Sequence, residues 1–427
     1  MTKLLRAGVA MGSLALAAPL ARADAGDLPP WRDAEDLPIP DGARSIVVLK
    51  DDQQILAEPL ATGARRGAAR AHARLPIFGA KRGAGCAARW FNVGPFAWVC
   101  QDGLEVSASA PLGFAGNGPG ALVAPAGLPF RYYFVGPGGT NGYSRLADAE
   151  DVAPDQELEP GFAVAVVDEG TKQGERYVRS HHGGWIPVRD LVPVVPFLFH
   201  GEEARDGKLD FGWIIDERVP VFAAASPRMT KPPVYRARFE KVAILEEKRE
   251  KNGGGYVRIA EGQWVRSRDV RRPSLSLPPS VLRTGERWID VDLATQTLVA
   301  AEGDRPIFAT LVSTGKGKEG TDSATPKGDF RIWVKLETSN MDNLEDEEAE
   351  RYYAIEDVPY VQYFSQGVGL HGAFWHRGFG RVRSHGCVNL APLDAQRLFA
   401  FTSPHLPLGW TAALPSPVEE GTLVRVR

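Results

Sequence analysis

The sequence predicts a mainly β chain: small repeated β modules followed by a larger β-rich unit with one short helix. Three observations point there. The 427 residues hold 46 glycines and 33 prolines, a supply of turns suited to many short strands. Two stretches, YVRSHHGGWIPVRDL (Tyr177 to Leu191) and YVRIAEGQWVRSRDV (Tyr256 to Val270), share Tyr-Val-Arg, Trp and Arg-Asp at a constant offset of 79 residues. Self-similarity of that kind marks a duplicated module. After the Pro/Ser-rich RRPSLSLPPSV (Arg271 to Val281) the pattern changes to longer alternating strands separated by Gly-rich turns.

The chain opens on Lys3 and Arg6, runs apolar from Ala7 to Leu20 and reaches Ala21-Arg22-Ala23. A charged start, an apolar run of this length and a small-x-small site predict a signal peptide over 1–23 and an exported protein, in the periplasm or cell wall. No later segment is long and apolar enough to span a bilayer. The formal net charge of −3, or about −5 without Lys3 and Arg6, gives no electrostatic footprint for nucleic acid. Of the three cysteines, Cys86 and Cys100 lie 14 residues apart. In an exported chain they are expected to pair, a bridge worth about 3 kcal/mol in the loop-entropy model. That bridge should steady the first module with little effect on the distant C-terminal unit. Cys387 is left over, and an odd cysteine in an oxidising compartment is a candidate reactive thiol.

The expected modules run over 24–125, with the disulfide, 126–200 and 201–275. Each repeat reads as strand, Gly-containing turn, strand with an aromatic, and closing turn. Leu75 to Asp102 reads as a looser third copy, with Trp90 and Trp98 in place. All three resemble bacterial SH3-like modules, small β-barrels of exported wall-associated proteins. Trp185 and Trp264 are expected chiefly as core plugs; a face for peptidoglycan is the functional alternative. A linker follows over 271–284, then a unit over 285–427 whose helix is expected in PLDAQRLFAFT (Pro392 to Thr402).

IDVDLATQTLVA, STGKG, TPKGDFRI, GLHGAFWH and SHGCVNL occur in that order in the last third of the chain. This series resembles the L,D-transpeptidase catalytic domain, the YkuD fold. His371-Gly372 precedes Cys387 by 16 positions through HGAFWHRGFGRVRSHGC, in keeping with the family's His-Gly and Ser-His-Gly-Cys pattern. Two positions depart from it: Ala373 stands where many members have threonine, and Asn389 where many have arginine.

The residues make chemical sense by themselves. A thiol must become a thiolate to attack an amide carbonyl, and a neighbouring histidine can lower its pKa and take the proton. Gly386 permits a sharp turn that exposes sulfur and aims consecutive N–H groups at an oxyanion. His371, His376, His385 and Cys387 also admit a metal reading. Their spacing matches no common zinc pattern and no carboxylate lies among them, so Cys387 is read as nucleophile and no metal site is expected. His385, two residues before Cys387, can reach sulfur only through a bent backbone, whereas His371 on a separate strand has no such restriction. His371 is therefore expected as the base, with the Gly372 carbonyl fixing its tautomer. The resemblance implies the same division, with the His385-Gly386-Cys387 backbone as oxyanion hole. Ser384, Asn389, Arg383 and Tyr363 are expected around the substrate; Arg383 reads equally as a solvated surface charge. The resemblance implies a lid and strand flanking the cleft at Tyr353, Tyr360 and Tyr363; packing against the sheet is the alternative. The acidic run from Asn343 to Tyr353 reads as a short, solvated helix.

Two functions follow. By resemblance, the first is an exported cysteine L,D-transpeptidase acting on peptidoglycan stem peptides through a Cys387 thioester. An amine acceptor, a second stem or a lipoprotein, would resolve the thioester; water would make it an L,D-carboxypeptidase. The second is a wall-binding scaffold with a vestigial catalytic domain. No cofactor is implied, since acyl transfer by a thiolate needs none.

Overall fold

The computed structural model describes residues 37–112, 124, 127–250, 254–344 and 353–427. The expected signal peptide, and Glu345 to Glu350 with the helix expected there, lie outside them. Strand is the dominant regular structure of the described residues, which hold a single α-helix, and no helix among them is long and apolar enough to cross a membrane.

The first part of the chain builds one pattern three times. Val48 pairs with Leu104, Val135 with Leu191, and Ile214 with Val270, at offsets of 87 and 79 residues. The same offsets relate the pairs Trp90 with Cys100, Tyr177 with Pro187, and Tyr256 with Arg266. They also relate Leu56 with Trp98, Tyr143 with Trp185, and Phe222 with Trp264. Each copy closes with a 3-10 turn, at Gln101–Gly103, Val188–Asp190 and Ser267–Asp269. The three residues that recur at each site form separate apolar clusters: Leu56, Trp90 and Trp98; Tyr143, Tyr177 and Trp185; Phe222, Tyr256 and Trp264. Each trio is spaced so that side chains on three neighbouring strands meet on one face. The tryptophans therefore plug the copies. In the first copy Cys86 and Cys100 are joined in a disulfide that packs on its trio.

The C-terminal unit has strands numbered within it: β1 (Arg287–Asp292), β2 (Thr297–Glu302), β3 (Arg305–Ser313), β4 (Gly328–Arg331), β5 (Val334–Asp342), β6 (Ala354–Ser365), β7 (Val368–Gly372), β8 (Val388–Leu390), α1 (Pro392–Phe401), β9 (Trp410–Ala413) and β10 (Leu423–Val426). Strand pairing runs β4-β10-β1-β2-β3-β8-β7-β6-β5-β9. The joins β1–β10 and β7–β8 are parallel. Helix α1 starts with Pro392 at its first position, where a missing N–H costs nothing. It lays Ala395 and Leu398 onto a core of Ile289, Val291, Leu370, Val388 and Leu390.

The repeats are built into this unit. Arg65–Ala69 of the first copy pairs antiparallel with β9, Gly67 opposite Ala413, so β9 is not an edge. A Cβ on Gly67 would stand 2.3 Å from the Ala412 carbonyl oxygen, so only glycine allows this approach. Ala163 of the second copy pairs with Ile355 of β6, and Glu202–Glu203 pairs with β3. Phe211 and Trp213 of the third copy share a core with Val299, Leu311, Ala373 and Phe379. The segment expected as a linker is also held: Ser276 N–H donates to Asp290 at 2.7 Å, and Arg427 donates to Ser274 at 3.0 Å. Extended Pro/Ser composition described its conformation, but these contacts remove the freedom of a tether.

Candidate active site

The turn carrying Cys387 is fixed from two sides. Arg383 and Ser384 both donate their N–H groups to the Thr314 carbonyl, at 2.9 and 3.0 Å, and Lys316 donates to Ser384 O at 3.0 Å. Thr325 donates its hydroxyl to Gly386 O at 2.6 Å. Thr314 is locked in turn by Gln296, so STGKG and TPKG act as the cradle of the cysteine turn. Gly386 has φ +131°, a conformation side chains rarely adopt. Cys387 leaves this turn into β8, and its Sγ lies 3.7 Å from Gly367 O in the β6–β7 turn. Burial pushes the thiol pKa up, and the Gly369 N–H partly offsets this.

His371 lies on β7, opposite Asn389 in the parallel β7–β8 pair and so two residues beyond Cys387 in register. It is almost fully buried and stacks on Trp375 at 5.7 Å. Its Nδ1 is 3.2 Å from Gly372 O, an acceptor that puts the proton on Nδ1 and the lone pair on Nε2. Burial brings its pKa down to about 4, against the opposing pull of the Gly372 carbonyl. Both shifts favour thiol and neutral imidazole over thiolate and imidazolium. The sequence argument expected a lowered thiol pKa, but the shift runs upward because desolvation of the partly buried Cys387 disfavours the thiolate.

His376 was weighed in the sequence only as a metal ligand. Here Gly378 N–H donates to its Nδ1 at 3.0 Å, and the Asn389 side-chain amide lies 2.9 Å from its Nε2. Burial, with help from Arg383 and His371, lowers its pKa to about 3, so the ring is neutral. With Nδ1 accepting, the proton sits on Nε2, and Asn389 must present its oxygen there. Asn389 was expected to meet substrate carboxylates. It is buried and turned to His376 instead.

Ser384 also differs from expectation. It is buried, accepts the Gly386 N–H at 3.2 Å and donates to Cys387 O, so it shapes the turn and does not face a ligand. The same bond engages the Gly386 N–H that was expected in the oxyanion hole. His385 is exposed and stacks on Tyr353 at 6.0 Å. Tyr353 and Tyr363 are both half-buried beside the cysteine: burial raises each pKa, and ionisation of Cys387 adds to it. Tyr363 stacks on Trp333 at 5.9 Å. Tyr360 packs on Phe399 of α1 at 5.6 Å. Arg383 is exposed and, with Arg238, His376, Arg377, Arg381 and Val382, lines a cavity of about 330 Å³. Arg238 comes from the third repeat, a contribution no local sequence signal could have marked.

With this geometry in place, the comparisons fix the class of the unit. Residues 286–426 match the YkuD family, the L,D-transpeptidase catalytic domain. The C-terminal third of the chain is thus an L,D-transpeptidase catalytic domain. No curated protein matches the chain. Among solved structures, a mutant Enterococcus faecium L,D-transpeptidase is 25% identical, with 33% of this chain and 50% of that one covered, at a TM-score of 0.25. The catalytic domain from the same organism is 26% identical over 34% of this chain and 98% of its own, at a TM-score of 0.25. An L,D-transpeptidase from Mycobacterium smegmatis is 17% identical over 59% of this chain and 90% of its own, at a TM-score of 0.26. The chain spans about half the length of the first solved structures it matches.

Proposed function

We propose that the protein is an exported L,D-transpeptidase that acts on peptidoglycan stem peptides through Cys387. The observation that carries the reading is the parallel pairing of β7 with β8 in the YkuD domain, which sets buried His371 two residues from Cys387 in register with its Nε2 lone pair free of the Gly372 contact. Substrate binding brings the carbonyl to Sγ. The thiol proton passes to His371 Nε2 as the S–C bond forms, and the Cys387 N–H meets the oxyanion. The C–N bond then breaks, His371 returns the proton to the leaving amine, and a thioester remains. An acceptor amine reverses these steps and forms the cross-link. Tyr353 and Tyr363 border the thiol, and Arg383 stands at the arginine cavity where substrate carboxylates would gather. We read the three repeats as SH3-like modules that hold the enzyme at the wall, supported by their shared pairing register.

The test is intact-protein mass spectrometry after incubation with a carbapenem, whose strained amide traps an acylating thiol. One adduct is expected on the wild type and none on Cys387→Ala. An equal adduct on both, or none on the wild type, sinks the reading.

A further inference from the structure

The hairpin turn of the second repeat carries two adjacent histidines, His181 and His182. The equivalent positions are Ala260 and Glu261 in the third copy and Gly94 and Pro95 in the first, so the turn itself does not require histidine. Both rings converge on one oxygen of the catalytic unit. His181 Nδ1 lies 2.9 Å, and His182 Nε2 3.1 Å, from Asp357 Oδ2. The three atoms all lie within 4.8 Å of one another.

Asp357 is prepared for this task. It sits on β6 with φ +49°, a left-handed conformation that costs about 1 kcal/mol or more for a side-chain-bearing residue. Its N–H donates to Asn340 Oδ1 at 2.9 Å, and its carbonyl accepts the Tyr132 hydroxyl at 2.6 Å. The Thr338 hydroxyl donates to the other carboxylate oxygen at 2.7 Å, leaving Oδ2 aimed at the histidines. An oriented carboxylate with its spare oxygen hydrogen-bonded is the outer shell that metal ligands usually have. Tetrahedral zinc with bonds of about 2.0–2.1 Å keeps its ligand atoms about 3.3 Å apart, close to the two separations seen. Asp357 is buried, while the two histidine side chains are 41% and 45% exposed, which leaves a coordination position open to water.

We propose that His181, His182 and Asp357 bind a divalent transition-metal ion, zinc by ligand chemistry, that clamps the second repeat to β6 of the catalytic domain. Two imidazoles and a carboxylate suit zinc and its neighbours and disfavour the all-oxygen cations calcium and magnesium. The sequence expectation of no metal considered only the histidines around Cys387. The separation of 175 residues between His182 and Asp357 hid this set.

The test is calorimetric titration of the full chain with zinc chloride, repeated on Cys387→Ser to remove the one free thiol. One equivalent should bind in both. The His181→Ala/His182→Ala double variant, its fold checked by circular dichroism, should bind at least 100-fold more weakly. Asp357→Asn should weaken binding in the same direction. Cobalt substitution gives a second readout: the intense visible bands of a tetrahedral site should appear in the wild type and vanish in the double variant. Absence of stoichiometric zinc binding in the wild type, or binding and bands that survive the double variant, overturns the proposal. So does binding lost in Cys387→Ser alone.

Discussion

His371 is almost fully buried and Cys387 partly so, and burial shifts both groups towards their neutral forms, which sets how the reaction should respond to pH. His371 has its pKa lowered to about 4, so its basic form is present throughout the neutral range and disappears only as pH falls towards that value. Acylation by a carbapenem should therefore be nearly flat from pH 6 to 8 and fall towards pH 4. Simple alkylation of the free enzyme by iodoacetamide should instead rise only above the ordinary thiol range, because burial has moved Cys387 upward. Stopped-flow acylation and timed alkylation across pH test the two profiles together. A reactive thiolate at pH 5 would contradict both. Replacing His371 by alanine should slow acylation by about 10²–10⁴, the usual worth of a positioned general base. At Asn389, alanine would strand the buried His376 Nε2–H, at a cost of about 1–3 kcal/mol that urea unfolding would register.

Among the elements, β5 and α1 meet through a buried amine. Lys335, fully buried on β5, donates from Nζ to Phe399 O and Thr402 O at the end of α1, where carbonyls lack helical partners. Burial lowers its pKa to about 7, against the weaker pull of Glu419. Between that value and the ordinary lysine range the unfolded chain holds the extra proton, so stability should rise with pH there. The gain should be on the order of a few kcal/mol, and Lys335→Met should abolish it. Denaturant unfolding at pH 7 and pH 10 on both proteins checks the sign; equal slopes would refute the linkage. Such a residue also shows what a sequence can reveal. Helix α1 was legible in PLDAQRLFAFT, and the cysteine turn in SHGCVNL, because local order encodes both. The second and third repeats were legible because Tyr-Val-Arg, Trp and Arg-Asp recur. The bond from Ser384 to Gly386 N–H, the turning of Asn389 to His376 and the burial of Lys335 depend on backbone angles or partners far along the chain. No spacing rule reports them.

At the scale of the molecule, three modules followed by a Pro/Ser linker were expected, and strand pairing joins the modules to the C-terminal unit. The first repeat lends Arg65–Ala69 to β9, and Arg70 is ion-paired with Glu337 of β5. The second meets β6 at Ile355, and the third shares the apolar cluster of Phe211, Trp213 and Phe379 with the catalytic domain. Continuous sheets and shared cores make unfolding of one part expose apolar surface on the other, which favours a common transition. The full chain should then melt in one calorimetric peak. Gly67→Val offers the decisive perturbation, because its side chain would strike the Ala412 carbonyl and the Trp410 ring, within 2.3 and 2.6 Å of a Cβ. It should lower the melting temperature of the whole protein and slow carbapenem acylation at a thiol it does not touch. The Cys86–Cys100 bridge, worth about 2–4 kcal/mol, was expected from the sequence to matter little to the C-terminal unit; because the first repeat pairs with β9, its removal should instead act as Gly67→Val does. Two resolved peaks, with only one shifted by either change, would show that the repeats and the catalytic domain fold independently.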